Sequence, residues 1–353
     1  MPLSDDFDVP AGHIPHPPSA EAVFVRRILI AALIVILLLV LWRVSLVLIL
    51  TFGGILVAIS LRNISVPLSR ATRIPDRWAV VVTTLGVGVL IYAFFYLFGA
   101  LASNQFNALI DQIPGAVDSV RAWMNATSIG RGVIGALENS SGAAFRLLSA
   151  LPLAGGILGG IGEVILVAAV GIYFATDPHV YVTGMLRLVP PRRRERARQI
   201  LDAMGVALRK WLIGMTLDML LLGVMTGVGM WLIGVPLPLA LAVLSGVAVF
   251  VPYIGPAIAT IPGLLLALSV SPTLALYAAF VYLVVLMIEG NISQPLLQRW
   301  MVSLPPVVNL LAILVFAPLF GIWGAVLATP LAVALWVLIQ KVYIEDVLDD
   351  HAR

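Results

Sequence analysis

Two acidic residues inside apolar segments are the groups in this sequence best suited to chemistry. Asp218 lies seven residues after Trp211, where an apolar segment begins, and Glu289 ends a later apolar run. An ionised carboxylate in hydrocarbon costs roughly 2.5–3.5 kcal/mol on insertion scales, so a cationic partner, a proton or water must offset that cost. We predict that both carboxylates serve proton coupling or gating. The alternative is a structural hydrogen bond between helices.

A short polar segment follows Glu289 and continues through Gln294 to Pro295. It places a carboxylate and two amides, those of Asn291 and Gln294, within six residues. We predict that Asn291, Gln294 and the phenol of Tyr253 offer hydrogen bonds to a polar substrate. The alternative is that this segment is only the outer end of a membrane span.

Prolines and glycines cluster in the middle of another apolar segment. The cluster consists of Pro252, Gly255, Pro256 and Pro262. An interior proline removes a helical hydrogen bond and bends the backbone, and in a bilayer the freed carbonyl must face protein or water. We predict a broken helix over residues 250–263, of the kind with which secondary transporters bind ions and polar substrates. A kinked span packed against its neighbours is the alternative.

Basic residues concentrate in the segment 177–210. Four of its arginines, Arg192, Arg193, Arg194 and Arg196, follow a pair of prolines that suits a helix start. Apolar residues recur behind them at helical spacing. This combination predicts an amphipathic helix on the inner leaflet, with the arginines facing anionic lipid.

The sequence lacks the residues that several other kinds of chemistry require. It contains no cysteine and four histidines, none of which lies deep in an apolar run. It also lacks a Gly-x-Ser-x-Gly elbow and a glycine-rich phosphate loop followed by Lys and Ser or Thr. We therefore expect no enzyme activity, no metal and no cofactor. Nucleic acid is not an expected partner, because the basic residues flank apolar segments.

Composition identifies the elements that must position these groups as membrane helices. Of the 353 residues, 61% are hydrophobic and 11% are charged, which is less than half the charge of an ordinary soluble domain. A helix that crosses a bilayer needs about 20 apolar residues, and apolar runs of this length recur along the chain. The predicted fold class is an all-α polytopic transmembrane protein of about eight spans, with broken or kinked helices in its C-terminal half.

The chain is expected to divide into seven segments. These are a disordered cytoplasmic tail (1–25), spans 1–3 (26–102), an extracytoplasmic loop of short amphipathic helices (103–155), span 4 (156–176), the basic cytoplasmic region (177–210), spans 5–8 with polar breaks (211–340) and a cytoplasmic tail (341–353). Basic short loops belong on the cytoplasmic side, which predicts that both termini are cytoplasmic. Arg43 is expected to mark a turn between two short spans, and residues 305–340 form either one span or a hairpin around Pro318 and Gly321.

The C-terminal half resembles the autoinducer-2 exporter family of bacterial permeases. The resemblance rests on the order and spacing of several strings, among them Val251-Pro252-Tyr253-Ile254-Gly255-Pro256, Ile288-Glu289-Gly290-Asn291, Leu319-Phe320-Gly321-Ile322-Trp323-Gly324 and Ala328-Thr329-Pro330-Leu331. Members of this family often carry a glutamine just after the glycine that opens span five. Met215 follows Gly214 here, so selectivity is expected to differ and Asp218, one turn later, is the candidate that supplies polarity.

The resemblance implies an eight-span transporter of the bacterial cytoplasmic (inner) membrane that exports small polar molecules. Autoinducer-2, a quorum-sensing signal, is the namesake cargo, and the family also suggests a homo-oligomer. Sodium or lithium/proton antiport, reported for other members, is the first alternative function. A membrane scaffold that transports nothing is the alternative from another class.

Overall fold

The computed structural model describes residues 20–93, 155–252, 254–300 and 304–348, together with isolated helical positions between 96 and 115. The ten helices within these ranges are α1 (Ala20–Thr72), α2 (Asp76–Ala93), α3 (Gly155–Thr176), α4 (Pro178–Arg187), α5 (Arg194–Leu232), α6 (Pro238–Ala248), α7 (Ile254–Val270), α8 (Pro272–Ile288), α9 (Gln294–Trp300) and α10 (Pro306–Leu338). A 3₁₀ turn, Pro191–Arg193, precedes α5, and π-helical segments span Glu289–Ser293 and Ile339–Glu345. The chain divides into two compact units, Met1–Leu48 and Ile49–Arg353.

The predicted all-α membrane architecture is confirmed. By length and composition alone, five helical stretches among the described residues could cross a membrane, or six if the bent pair Gly162–Thr176 and Pro178–Arg187 counts as one span. One of the five is α10, which a reversal at Gly321 divides into two arms. Helices α6 and α7 are apolar but shorter. The count of eight spans and the division into seven segments therefore remain predictions. The predicted N-terminal tail before residue 20 and most of the predicted outer loop 103–155 lie outside the described residues.

Prolines define where several helices begin. Helices α4, α6, α8 and α10 all have proline in their first turn, where its missing N–H needs no partner. At α8 the hydroxyl of Ser271 also accepts a hydrogen bond from the backbone N–H of Leu274 at 3.0 Å. Capping of this kind satisfies an orphan donor of the first turn.

The expected turn at Arg43 is absent, because α1 continues through this position as regular helix. Residues 28–52 contain neither proline nor glycine, so no residue there breaks the helix. The side chain of Arg43 is exposed. A long arginine side chain can reach the membrane interface without a turn in the backbone.

The basic segment and the apolar span that follows it form one helix, α5, rather than two. No proline interrupts residues 194–232, so the helix that begins among the arginines runs directly into the span. The buried face of α5 carries Trp211, Met215 and Leu222, which belong to the largest apolar cluster. Val333 and Val337, near the C-terminal end of α10, pack against this face.

Small residues let α5 and α6 pack closely in an antiparallel pair. A Cβ atom added to Gly227 would lie 2.7 Å from the Cβ of Ala242, and one added to Gly246 would lie 2.8 Å from the carbonyl oxygen of Met219. The Gly223-xxx-Gly227 spacing therefore serves a crossing within the chain.

Helices α6 and α7 form a hairpin whose tip includes Pro252. The chain returns along α6, since Leu266 of α7 lies in one apolar cluster with Leu241 of α6. Gly255 abuts this tip, where an added Cβ would lie 1.7 Å from the carbonyl oxygen of Ala248. The break is shorter than the predicted 250–263, because α7 begins at Ile254 and continues as helix through Pro262.

Helix α10 is itself a hairpin that reverses at Gly321. This residue has φ 64° and ψ −143°, a conformation that L side chains rarely adopt. A Cβ added to Gly324 would lie 1.9 Å from the carbonyl oxygen of Phe316, whereas residues eight apart in a straight helix are separated by about 12 Å. Of the two alternatives for residues 305–340, the structure therefore contains the hairpin.

Polar contacts tie α3 to its neighbours. Trp323 of α10 donates its indole N–H to the carboxylate of Glu163 near the start of α3. At the other end of α3, Arg77 pairs with Asp177 at 2.9 Å. Glu163 is thus bound to another helix of the bundle.

Candidate functional site

Asp218 lies on the buried stripe of α5, between Met215 and Leu222 at helical spacing. Its side chain is 4% exposed, and its Oδ1 atom has no hydrogen-bond partner in the part of the chain that the structure describes. Desolvation of a carboxylate is expensive unless a polar group compensates for it. This position therefore calls for a ligand, a proton or a second polar side chain.

Glu289 is a second buried polar side chain near Asp218. Helices α5 and α8 run antiparallel, since Gly229 packs on Val281 and both Leu222 and Val285 belong to one apolar cluster. One turn further along this seam the two helices bring Asp218 and Glu289 within electrostatic range of each other. Glu289 is 7% exposed, so the two carboxylates would repel each other if both were ionised, because their surroundings screen charge poorly.

The backbone at Glu289 is π-helical, and this irregularity positions its neighbours. The π-helical segment begins at Glu289 and ends at Ser293, which is also buried. Gln294, the first residue of α9, hydrogen-bonds the side chain of Glu289. Single π-helical turns within α-helices are frequent at functional sites. We call Asp218, Glu289 and Gln294 the carboxylate site.

A cavity of about 490 Å³ opens beside Glu289. Its lining consists of Pro256, Ala257, Leu286, Glu289, Gly290, Gln294, Pro295 and Pro306. One carboxylate and one amide therefore supply its polar side chains, while prolines from three segments form much of the wall. Such a site suits cations and neutral molecules with hydroxyl groups, because the carboxylate opposes anions.

The structure brings together only part of the set that the sequence predicted. Asn291 is exposed, and its amide donates to the carbonyl oxygen of Met287 at 2.8 Å, so it does not join the site. Tyr253 lies outside the described residues. Pro252 lies in the break between α6 and α7, whereas Pro256 lines the cavity from within α7.

The four arginines have two different environments. Arg192, Arg193 and Arg194 are exposed, so contact with anionic lipid remains a prediction for them. Arg196 instead pairs with Glu345 at 3.0 Å and with Asp346 at 2.7 Å, beyond the end of α10. It also donates to the carbonyl oxygen of Lys341 at 3.1 Å.

Sequence reasoning missed three buried hydroxyl groups near this seam, those of Thr226, Ser245 and Tyr282. Each stands alone in an apolar segment, where a hydroxyl commonly bonds its own helix. The signal that could have identified Tyr282 is its spacing from Glu289. Tyr282 precedes Glu289 by seven residues, which places the two on one face of a helix.

A helical membrane bundle whose cavity holds a carboxylate at a helix irregularity is typical of membrane transport proteins. A family model described as AI-2E family transporter matches residues 29–344. The chain therefore belongs to the AI-2E transporter family, which confirms the resemblance seen in the sequence. The family is one of membrane transport proteins, and this chain has the helical membrane architecture that such proteins require.

Curated relatives carry matching descriptions. The chain is 33% identical over 166 residues to "Putative transport protein YrrI" of Bacillus subtilis, a match that covers 47% of each chain. It is 28% identical over 282 residues to "Putative permease PerM" of Escherichia coli, covering 75% of this chain and 78% of the relative. It is 29% identical over 264 residues to "Putative transport protein MT0215" of Mycobacterium tuberculosis, covering 69% and 70%. The matches to the two Bacillus subtilis relatives span about half of their length.

Proposed function

We propose that this protein is a permease of the bacterial inner membrane that exports small polar molecules through the carboxylate site. The observation that carries the proposal is a pair of buried carboxylates, those of Asp218 and Glu289, of which Glu289 lines a cavity of about 490 Å³. Autoinducer-2 is the cargo that the family name suggests, and it is the first one to test.

The residues present suit binding of a small polar cargo. Glu289 accepts hydrogen bonds, and the amide of Gln294 both donates and accepts them. The hairpin of α6 and α7 contributes Pro256 and Ala257 to the opposite wall. A movement of this hairpin relative to α8 would change access to the cavity, as alternating access requires.

Cation/proton antiport is the second candidate function. It is favoured by a specific observation: Asp218 has a buried oxygen with no hydrogen-bond partner in the described residues, and Glu289 lies within electrostatic range. A proton or a monovalent cation bound between the two carboxylates would remove their repulsion. Exchange of one for the other at this position would couple their movements.

The proposed orientation places the basic elements in the cytoplasm. Arg62, Arg70, Arg73 and Arg77 lie together between the apolar parts of α1 and α2, and Arg192, Arg193 and Arg194 precede α5. A positive excess of this kind belongs on the inner face. We further propose a cytoplasmic C-terminus, contact of Arg192 to Arg194 with anionic lipid, and assembly as a homo-oligomer. The predicted cytoplasmic N-terminus required a turn at Arg43, and α1 continues through this position without one.

The test is efflux from proteoliposomes that contain the purified protein and autoinducer-2, with and without an imposed sodium or proton gradient. Asp218→Asn is compared with Asp202→Asn, which makes the same chemical change at an exposed position of the same helix. We expect Asp218→Asn to lower efflux at least about tenfold, the effect of one lost charge-assisted hydrogen bond. Asp202→Asn should transport like the unaltered protein.

The other outcomes decide between the functions. Absence of efflux, combined with a change in internal pH when sodium is added, would replace export by antiport. Absence of both activities in the unaltered protein would reject transport and favour a membrane scaffold. Equal efflux by the two variants would remove Asp218 from the path.

A further inference from the structure

Three buried hydroxyl groups lie on the helices of this part of the bundle. Thr226 of α5, Ser245 of α6 and Tyr282 of α8 are exposed by 1%, 2% and 3%, respectively. None of the three oxygens completes a hydrogen bond with the described part of the chain. The hydroxyls of Ser245 and Tyr282 lie close enough to interact with each other between α6 and α8, although their geometry falls short of a well-formed hydrogen bond.

Two of these hydroxyl groups lie on the same seam as the carboxylate site. Thr226 follows Asp218 by eight residues on α5, and Tyr282 precedes Glu289 by seven on α8. At 1.5 Å per residue, both separations amount to about 10–12 Å along the helix axes. Because α5 and α8 are antiparallel, Thr226 and Tyr282 are displaced from the carboxylates in the same direction.

The Pro262-Gly263 pair makes room for this arrangement. A Cβ atom added to Gly263 would lie 2.1 Å from the phenolic oxygen of Tyr282 and 2.8 Å from its Cε2 atom. A side chain at position 263 would therefore displace the ring. The glycine explains why the phenol reaches the interior of the hairpin formed by α6 and α7.

Packing of an apolar core does not by itself explain why hydroxyl side chains occupy these positions. Unpaired hydroxyls in apolar surroundings destabilise a fold, and phenylalanine, alanine or valine would fill the same space without that cost. Leu241, Leu266 and Ala278 pack in the same apolar cluster as Tyr282, so the neighbouring groups are apolar. Uncharged hydroxyls suit ligands that donate and accept hydrogen bonds without bearing charge.

We propose that Thr226, Ser245 and Tyr282 form a hydroxyl site that binds neutral hydrogen-bonding groups, either water or the hydroxyls of a cargo, one step along the path from the carboxylate site. This inference rests on the proposed function. It adds a second binding position and states its chemistry. The path then leads from the cavity at Glu289 along the seam of α5 and α8 into the hairpin of α6 and α7.

The absence of cysteine from the sequence allows a direct test of access. Ser245→Cys introduces a single thiol of similar size at the hydroxyl site, and Ala278→Cys introduces one at a fully buried apolar position one turn from Tyr282. The probe is a water-soluble methanethiosulfonate reagent added to the full-length protein in proteoliposomes. We expect Ser245→Cys to be labelled at least about tenfold faster than Ala278→Cys. Equal labelling of the two variants would overturn the hydroxyl site, even if the protein transports.

Addition of autoinducer-2 distinguishes the two sources of the ligand. Slower labelling of Ser245→Cys in its presence assigns the site to cargo hydroxyls. Unchanged labelling that remains faster than for Ala278→Cys assigns the site to water. Both outcomes support a hydroxyl site, whereas failure of export alone leaves the labelling difference intact.

Stability separates a ligand site from structural hydroxyls. Thr226→Val, Ser245→Ala and Tyr282→Phe are compared with Thr216→Val, whose hydroxyl bonds Leu212 O at 2.8 Å on the exposed face of α5. We expect the three variants to lower efflux at least about fivefold with an unchanged or higher melting temperature, because an unpaired polar group is removed. Lower melting temperatures with unchanged efflux would assign the hydroxyls to the fold and overturn the proposal.

Discussion

Asp218 shows how a single residue connects stability with function. In the described part of the chain no arginine or lysine forms an ion pair with it or with Glu289. Two buried carboxylates without a cation destabilise the fold unless they bind something. Their retention is therefore understandable for a site that takes up a proton, a cation or a polar cargo.

Neutral replacement of Asp218 should make the protein more stable. We expect Asp218→Asn to increase the free energy of unfolding by roughly 1–3 kcal/mol, since an unpaired buried carboxylate is exchanged for an amide of the same shape. Thermal unfolding in detergent measures this change. Asp202→Asn, at an exposed position of α5, should stay within about 0.5 kcal/mol of the unaltered protein. A large loss of stability in Asp218→Asn would support the structural hydrogen bond between helices.

Among single residues, the sequence identifies buried charged side chains more readily than buried hydroxyl groups. Asp218 and Glu289 were recognisable because a carboxylate within an apolar run has few explanations. Asn291 and Gln294 are three residues apart in one polar segment, and only the π-helical backbone decides that Gln294 faces Glu289. Tyr282 carried no such signal, because an isolated hydroxyl in a membrane helix is ordinary.

Glycines set the distances between elements. On α5, Gly227 lies against Ala242 of α6, while Gly205 has no atom within 4 Å of the position of a Cβ. The same substitution at these two positions therefore has opposite effects. Close packing at the first position is replaced by overlap, and at the second only backbone entropy changes.

Gly227→Ala should separate α5 from α6 and lower the free energy of unfolding by about 1–3 kcal/mol. Gly205→Ala should raise it by about 0.5–1 kcal/mol, because alanine favours the helix. Thermal unfolding of both variants measures the difference. A neutral result for Gly227→Ala would show that the two helices do not pack closely in the membrane.

The sequence predicted correctly that the elements are helices. It did not predict where one helix continues and where the chain breaks or reverses. Long apolar runs identified the helices, and the pair of prolines before Arg192 identified one helix start, that of α5. The break at Arg43 was predicted from a charge, yet a charge bends no backbone when its side chain can reach the interface. Pro262 likewise left α7 unbroken, whereas Gly321 reversed the chain through a dihedral angle that sequence alone does not reveal.

An ion-pair network joins the two ends of the C-terminal half of the molecule. Arg196, at the start of α5, contacts Glu345 and Asp346 after α10, and Lys341 pairs with Glu345. All of these side chains are partly exposed, so each pair by itself contributes little. Together they hold the segment after α10 against the helix that carries Asp218.

Arg196→Gln should release this segment. We expect trypsin to cleave after Lys341 faster in Arg196→Gln than in the unaltered protein, because the carbonyl of Lys341 loses its guanidinium donor. Salt at 1 M should accelerate cleavage of the unaltered protein, since it shortens the range of surface ion pairs to about 3 Å. Arg192→Gln, at an exposed arginine in the 3₁₀ turn, is the control and should leave the cleavage rate unchanged.

The reversal at Gly321 also limits how many times the chain can cross the membrane between α5 and α10. A hairpin returns the chain to the membrane face from which it came, so Pro306 and Leu338 belong to one face. Contact with Glu345 places Arg196 on that face as well. The chain between Arg196 and Pro306 must then cross the membrane an even number of times. Reporters placed before α5 and after α10 should therefore detect the same compartment.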